Sequence, residues 1–171
     1  MSRGFAFGSA LTLLALAACS SSTNSGGGHT PTGGVTGYTD CKSSPILTMP
    51  GRASTTQGCI QYQYDGDSVL SLTHLNAAFN CCADSFTATF DFVDRKITIT
   101  EIEWLTAPCD CDCLYDVDSK ISGLAPGTWT IKVIEPYLDV NDAALEFTVN
   151  LLSAPSGSHC VARDHYPWGA P

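Results

Sequence analysis

Eight cysteines fall between Cys41 and Cys160, and three of them stand at every second position in the stretch APCDCDCLYD, Ala107 to Asp116. Successive side chains of a β-strand point to opposite faces, so this spacing puts Cys109, Cys111 and Cys113 on one face together with Tyr115, Val117, Ser119 and Ile121. Asp110, Asp112, Leu114, Asp116, Asp118 and Lys120 take the other face, the pattern of a strand with one side toward the core. A rise of about 3.4 Å per residue then separates the backbones of Cys109 and Cys113 by about 13 to 14 Å. Thiolates on one zinc ion lie only about 4 Å from each other, so the trio can share a metal only if the chain folds into a loop there. Bridges within the trio are also poor, because Cα atoms joined by a disulfide are at most about 6.8 Å apart.

The partners of the trio are therefore expected elsewhere, with Cys81, Cys82 and Cys160 as candidates. That leaves Cys41 with Cys59 to close a short N-terminal loop. An even number of cysteines in an exported domain reads as a disulfide framework of Cys41, Cys59, Cys81, Cys82, Cys109, Cys111, Cys113 and Cys160. In NCCAD, Asn80 to Asp84, adjacent cysteines on a strand would face opposite sides and reach different neighbours. The alternative use of Cys109, Cys111 and Cys113 is as soft ligands for copper or zinc, with Cys81 and Cys82 as further ligands.

Export is read from the N-terminus. Residues 1–18 carry one charge, Arg3, ahead of the apolar run FAFGSALTLLALAA, the layout of a secretory signal and too short for a comfortable membrane span. The run ends in LAAC, Leu16 to Cys19, which resembles the lipobox of bacterial lipoproteins. The resemblance implies cleavage before Cys19, lipidation of Cys19 and, with Ser20 rather than an aspartate following, anchoring to the outer membrane. Residues 19–39 are rich in Ser, Gly and Thr and are expected to be a flexible tether, with His29 solvated. Residues 40–171 are one domain's worth of chain.

The whole chain has 17 acidic and 8 basic residues. Loss of residues 1–18 removes one basic residue and no acidic one, taking the net charge from −9 to −10. Nucleic acid and anionic lipid surfaces are thereby excluded as expected partners. The expected membrane contact is the lipid anchor alone, and a protein or glycan partner is left open.

Alternation with period two runs through the folded part. Ile60, Tyr62 and Tyr64 share a face, as do Leu70, Leu72 and His74. Phe86, Ala88, Phe90 and Phe92 line one side of a strand that turns at DRK into ITITEIEW. In GLAPGTWTIKV, a Pro-Gly turn precedes a strand with Trp129, Ile131 and Val133 inward, and ALEFTVNLL supplies Leu145, Phe147, Val149 and Leu151. GLAPGTWTIKV resembles a turn-and-strand motif of immunoglobulin-like and transthyretin-like exported domains. Seven or eight short strands and no long helical pattern predict an all-β, antiparallel two-sheet sandwich, immunoglobulin-like or transthyretin-like and stapled by disulfides.

Few other residues suggest chemistry. His74 is expected to be buried and hydrogen-bonded, with Asn76 able to join it in a small polar site. The ending HCVARDHYPW offers His165, Tyr166 and Trp168 as a possible binding rim. The opposing expectation is that Tyr166 and Trp168 cover an open sheet edge while Arg163 pairs with an acidic neighbour. DVND, Asp139 to Asp142, is expected to be a turn rather than a calcium loop. Asp91, Asp94, Glu101 and Glu103 have no accompanying nucleophile or base, so no enzyme and no cofactor is expected.

Taken together, CIQYQYDGDSVLSLTHLNAAFNCC, CDCDCLYD, GLAPGTWTIKV and CVARDHYPWG resemble a family of cysteine-rich exported bacterial lipoproteins with a β-sandwich domain. The resemblance spans Cys59 to Gly169. It implies a shared stapled domain and no activity. The expected role is a lipid-anchored structural or binding module of the cell envelope, with copper or zinc handling as the alternative.

Overall fold

The period-two pattern is realised as nine strands in two sheets. A computed structural model describes Met1 and residues 30–42 and 54–168. Residues 2–18 of the signal segment, Cys19 and residues 20–29 of the tether lie outside the described residues. One sheet is ordered β1-β6-β3-β2-β9 and the other β4-β5-β7-β8. Their spans are β1 Thr32–Tyr38, β2 Gln57–Tyr64, β3 Leu70–Asn80, β4 Ser85–Val93 and β5 Lys96–Trp104. They continue with β6 Asp112–Ser122, β7 Thr128–Ile134, β8 Glu146–Asn150 and β9 Ser156–Ala162. The chain is all-β, with no helix among the described residues.

Local chemistry sets the turns. Asp65 Oδ1 accepts hydrogen bonds from the backbone N–H groups of Asp67, Ser68 and Val69, which closes the turn from β2 to β3. Asp94 and Arg95 both take positive φ, 48° and 62°, the two-residue hairpin geometry that matches strand twist. Arg95 is held there by its guanidinium over the Trp129 ring, 5.1 Å from the centroid, and by donation to the Pro126 carbonyl at 3.0 Å.

Three features correct the sequence reading. The first is β1, which lies within the stretch assigned to the tether. It pairs with β6 from Thr32↔Ser122 to Tyr38↔Val117. Backbone pairing requires few apolar side chains, and here Tyr38 meets Phe86 edge-on at 4.8 Å. At Gly33 a Cβ would stand 2.4 Å from the Phe90 ring, so only glycine lets that ring pack against the strand. The second is the β5–β7 pair, which is parallel, from Lys96↔Thr130 to Thr100↔Ile134, in sheets that are otherwise antiparallel. The chain leaves β5, runs through β6 in the opposite sheet and returns beside β5 in the same direction. The third is a bulge at Asn76, with φ 60° and a register shift between Leu75 and Ala77. It changes the inward parity of β3 from Leu70, Leu72 and His74 to Ala77 and Phe79.

Two apolar clusters fill the space between the sheets. The larger contains Ile60, Leu70, Ile97, Ile121, Ile131 and Leu151, and the smaller is built on Phe79, Phe86 and Tyr115. Phe86 lies 4.4 Å from Phe79 and 4.8 Å from Tyr115 between ring centroids.

Candidate functional site

The cysteines answer the question raised by their spacing. Four disulfides join Cys41 to Cys113, Cys59 to Cys160, Cys81 to Cys111 and Cys82 to Cys109. The trio does pair outward, and Cys81 and Cys82 are two of its partners. The expected Cys41–Cys59 bridge is replaced, and Cys160 joins Cys59, which it faces directly across β2 and β9. The alternation does not extend back through Cys109 and Cys111. Strand β6 begins at Asp112, and both cysteines lie in the exposed connection before it. Cys81 and Cys82 likewise lie in a turn after β3 rather than on a strand.

Two of the four connections that cross between the sheets, β3 to β4 and β5 to β6, are thus stapled to each other twice. Asn80 organises the junction: its Nδ2 donates to the Cys109 carbonyl at 2.7 Å, and its Oδ1 accepts from the N–H groups of Cys82 and Cys109 at 3.1 Å each. The Sγ atoms of Cys81, Cys82 and Cys109 lie within 4.8 Å of one another. Cys113 stands apart from that group, buried at the start of β6 and joined to Cys41.

The predicted rim is divided by the structure. Trp168 is 3% exposed, packs on Ala78 and Leu114, and donates Nε1–H to the Asn76 carbonyl at 2.8 Å. It is a cover rather than a rim. Tyr166 keeps its ring exposed while its hydroxyl donates to the Asp112 carbonyl at 2.7 Å and accepts from the Asp112 N–H at 3.0 Å. His165 approaches Asp142 at 3.4 Å and Asp139 at 3.8 Å, beyond ordinary hydrogen-bond distance. Asp139 and Asp142 form the expected turn, with the Asp142 N–H donating to the Asp139 carbonyl at 3.0 Å.

Between the two apolar clusters lies an ionic layer of which the sequence reading held two parts, a buried, hydrogen-bonded His74 and an Arg163 paired with an acidic residue, but neither Glu101 nor Glu135 as their partners. Each of three inward runs ends in an ionisable residue two positions on: Leu70, Leu72, His74; Ile97, Ile99, Glu101; Ile131, Val133, Glu135. Arg163, just after β9, completes the layer, and all four residues are buried. His74 Nδ1 lies 2.9 and 3.0 Å from the two carboxylate oxygens of Glu101. Arg163 donates Nη2–H to Glu135 at 2.5 Å and Nη1–H to the carbonyls of Ala143 and Ala162. Burial pushes the His74 pKa down, but the Glu101 carboxylate, aided by Glu135, outweighs it and holds the imidazole above the usual histidine value.

Asn76 does not join His74. Its Nδ2 donates to the carbonyls of Ser54 and Gln57, and its Oδ1 accepts from Lys42, which also pairs with Asp116. The remaining carboxylate of interest, Glu103, accepts from the Tyr137 hydroxyl at 2.6 Å and the Asn80 N–H at 2.8 Å. Burial first, and then this hydrogen bond, push the Tyr137 pKa up.

Two surface features stand out among the described residues. Ile102 and Trp104 stand outward on β5, Trp104 is 60% exposed, and Leu105 and Ile134 are also exposed. Ile134 lies beside Thr100 in the β5–β7 register, so these side chains form an apolar stripe leading to the stapled connections. On the other sheet a shallow trough of about 480 Å³ runs across β2, β3 and β9, lined by Gln61, Gln63, Ser71, Thr73, Ser156 and Ser158 with the backbone of Tyr62 and Gly157. Comparison with protein-family models, curated proteins and solved structures finds no match for this chain.

Proposed function

We propose that the protein is a lipid-anchored, disulfide-stapled β-sandwich that serves as a non-enzymatic binding module of the cell envelope. The observation that carries the binding role is the exposed stripe of Ile102, Trp104, Leu105 and Ile134. Its base is the doubly stapled junction, which fixes the surface before a partner arrives. The four disulfides support an oxidising, exported location, and the LAAC lipobox supports attachment through Cys19 to the outer membrane. A protein partner fits the apolar stripe, and a glycan would fit the uncharged trough of amides and hydroxyls.

Two experiments test this reading. Changing Cys19 to serine should move the protein from the membrane fraction to the soluble envelope fraction, and unchanged fractionation would remove the anchor from the account. A photo-crosslinking residue at position 104 should capture an envelope component that the same residue at Thr89 does not, and equal labelling would remove the stripe.

Copper or zinc handling is favoured by one observation, the proximity of the Cys81, Cys82 and Cys109 sulfurs. It requires the reduced protein, because a disulfide offers no thiolate. Metal titration before and after mild reduction distinguishes it: binding only after reduction supports a thiol site, and none in either state rejects it.

A further inference from the structure

Three polar atoms of the buried ionic layer, His74 Nε2, Glu135 Oε1 and Arg163 Nε, are shielded from solvent and meet no hydrogen-bonding group among the described residues. Their side chains are 2%, 2% and 0% exposed. All three converge over Gly58, in β2. The position that a Cβ would take there lies 3.5 Å from Glu135 Oε1, 3.8 Å from Arg163 Nε and 3.9 Å from His74 Nε2. His74 Nε2 and Glu135 Oε1 are 3.7 Å apart, too far for a direct hydrogen bond and suited to a bridging molecule.

We propose that the space over Gly58 is a sealed binding site for a single water molecule that joins His74, Glu135 and Arg163. The chemistry selects this occupant. The Arg163 guanidinium disfavours a cation, the Glu135 carboxylate disfavours an anion, and the Gly58 backbone limits the size. A water accepts from Arg163 Nε–H and donates to Glu135 Oε1. Toward His74 Nε2 it accepts from a protonated ring or donates to a neutral one, so it completes the set in either state. Three polar partners are the usual number for a buried water. The site links strands of both sheets through the layer, and it stands independently of the binding role proposed above.

Two substitutions and one direct observation test it on the oxidised, folded chain. Gly58→Ala fits sterically, since its methyl group would meet the three atoms at ordinary contact distance. It would take the space of the water and offer no hydrogen bond. A strand glycine replaced by alanine ordinarily gains stability, so the sign of the change is diagnostic. The expected result is a lower Tm for Gly58→Ala, by about 4 °C or more, with at least half of the loss recovered by Gly58→Ser, whose hydroxyl reaches toward the same place. An alanine variant as stable as the parent, or more so, would overturn the proposal, as would equal losses for alanine and serine. A crystal structure of the parent at high resolution should show one water within hydrogen-bond distance of the three atoms, and its absence would overturn the proposal whatever the variants do.

Discussion

The two ends of the sandwich are held together by different means. At one end, Ile60, Leu70, Ile97, Ile121, Ile131 and Leu151 fill the space between the sheets with aliphatic side chains. At the other, a smaller aromatic cluster lies beside exposed crossover connections, and three of the four disulfides are gathered there. Cys109 and Cys111 are exposed, so their segments bury little apolar surface and are fixed by covalent bonds and by Asn80. Hydrophobic burial holds the long strands, and cross-links hold the places where the chain crosses between sheets with little to bury. The buried ionic layer lies at the boundary between these two regimes.

The cross-links are themselves unequal, and this gives the largest expected effect. Cys59–Cys160 closes a loop with a sequence separation of 101 residues. In the chain-entropy picture such a bridge restricts the unfolded chain by about 4.7 kcal/mol. Replacing both cysteines with serine should lower stability by about that amount in denaturant unfolding, and a loss below about 1 kcal/mol would show that the unfolded chain is already restricted by the other bridges.

The aliphatic end is probed by Ile131→Ala. Ile131 is fully buried, and truncation of such a residue costs about 2–5 kcal/mol. A loss under about 1 kcal/mol would mean that this end can collapse around the cavity and is not the rigid part of the fold.

A smaller effect is expected where the staples are nested. Cys82–Cys109 lies inside the loop closed by Cys81–Cys111, with separations of 27 and 30 residues. With one bridge present, the other closes only a few further residues. Replacing Cys82 and Cys109 together with serine should therefore cost about 2 kcal/mol, less than half the effect at Cys59 and Cys160. Equal losses for the two pairs would contradict the nested-loop argument.

The smallest effect concerns pH and the ionic layer. The folded pKa of His74 is raised above its unfolded value of about 6.5. Protonation of His74 therefore contributes stability that is fully present below the unfolded value and is lost as pH rises through the folded one. Denaturant midpoints should fall as pH rises from about 6 through that value, and His74→Gln should flatten this fall. An unchanged pH profile in the variant would mean that Glu101 does not hold the imidazole protonated.

Much of the architecture was legible in the alternation, because a strand half-buried against a core must alternate and these strands do. The DRK hairpin, the Pro-Gly turn and the inward set of β7 follow from adjacent residues alone. β1 was hidden because its glycines and threonines read as tether, and its stability comes from backbone pairing with β6, 79 to 90 residues away in sequence. The bulge at Asn76 was hidden for the same reason, since its left-handed backbone is fixed by Lys42, Ser54, Gln57 and Asp116 from other segments. Half of the ionic layer was visible: the runs that place Leu72 and Ile99 inward place His74 and Glu101 inward too. Which charges would meet depends on the stacking of two sheets, and a single strand's pattern carries no information about that. The disulfide pairing has the same character, because Cys59 finds Cys160 through the β2–β9 register.

The central claim is that covalent staples hold the end of the sandwich where β3 to β4 and β5 to β6 cross, and the mass of the exported domain tests it most directly. The protein is alkylated with and without prior reduction, and its bridges are mapped on peptides. The account predicts no alkylation without reduction, eight alkylated cysteines after it, and bridges Cys41–Cys113, Cys59–Cys160, Cys81–Cys111 and Cys82–Cys109. Two or more free thiols among Cys81, Cys82, Cys109 and Cys111 would contradict it, and would turn attention to copper and zinc at that junction.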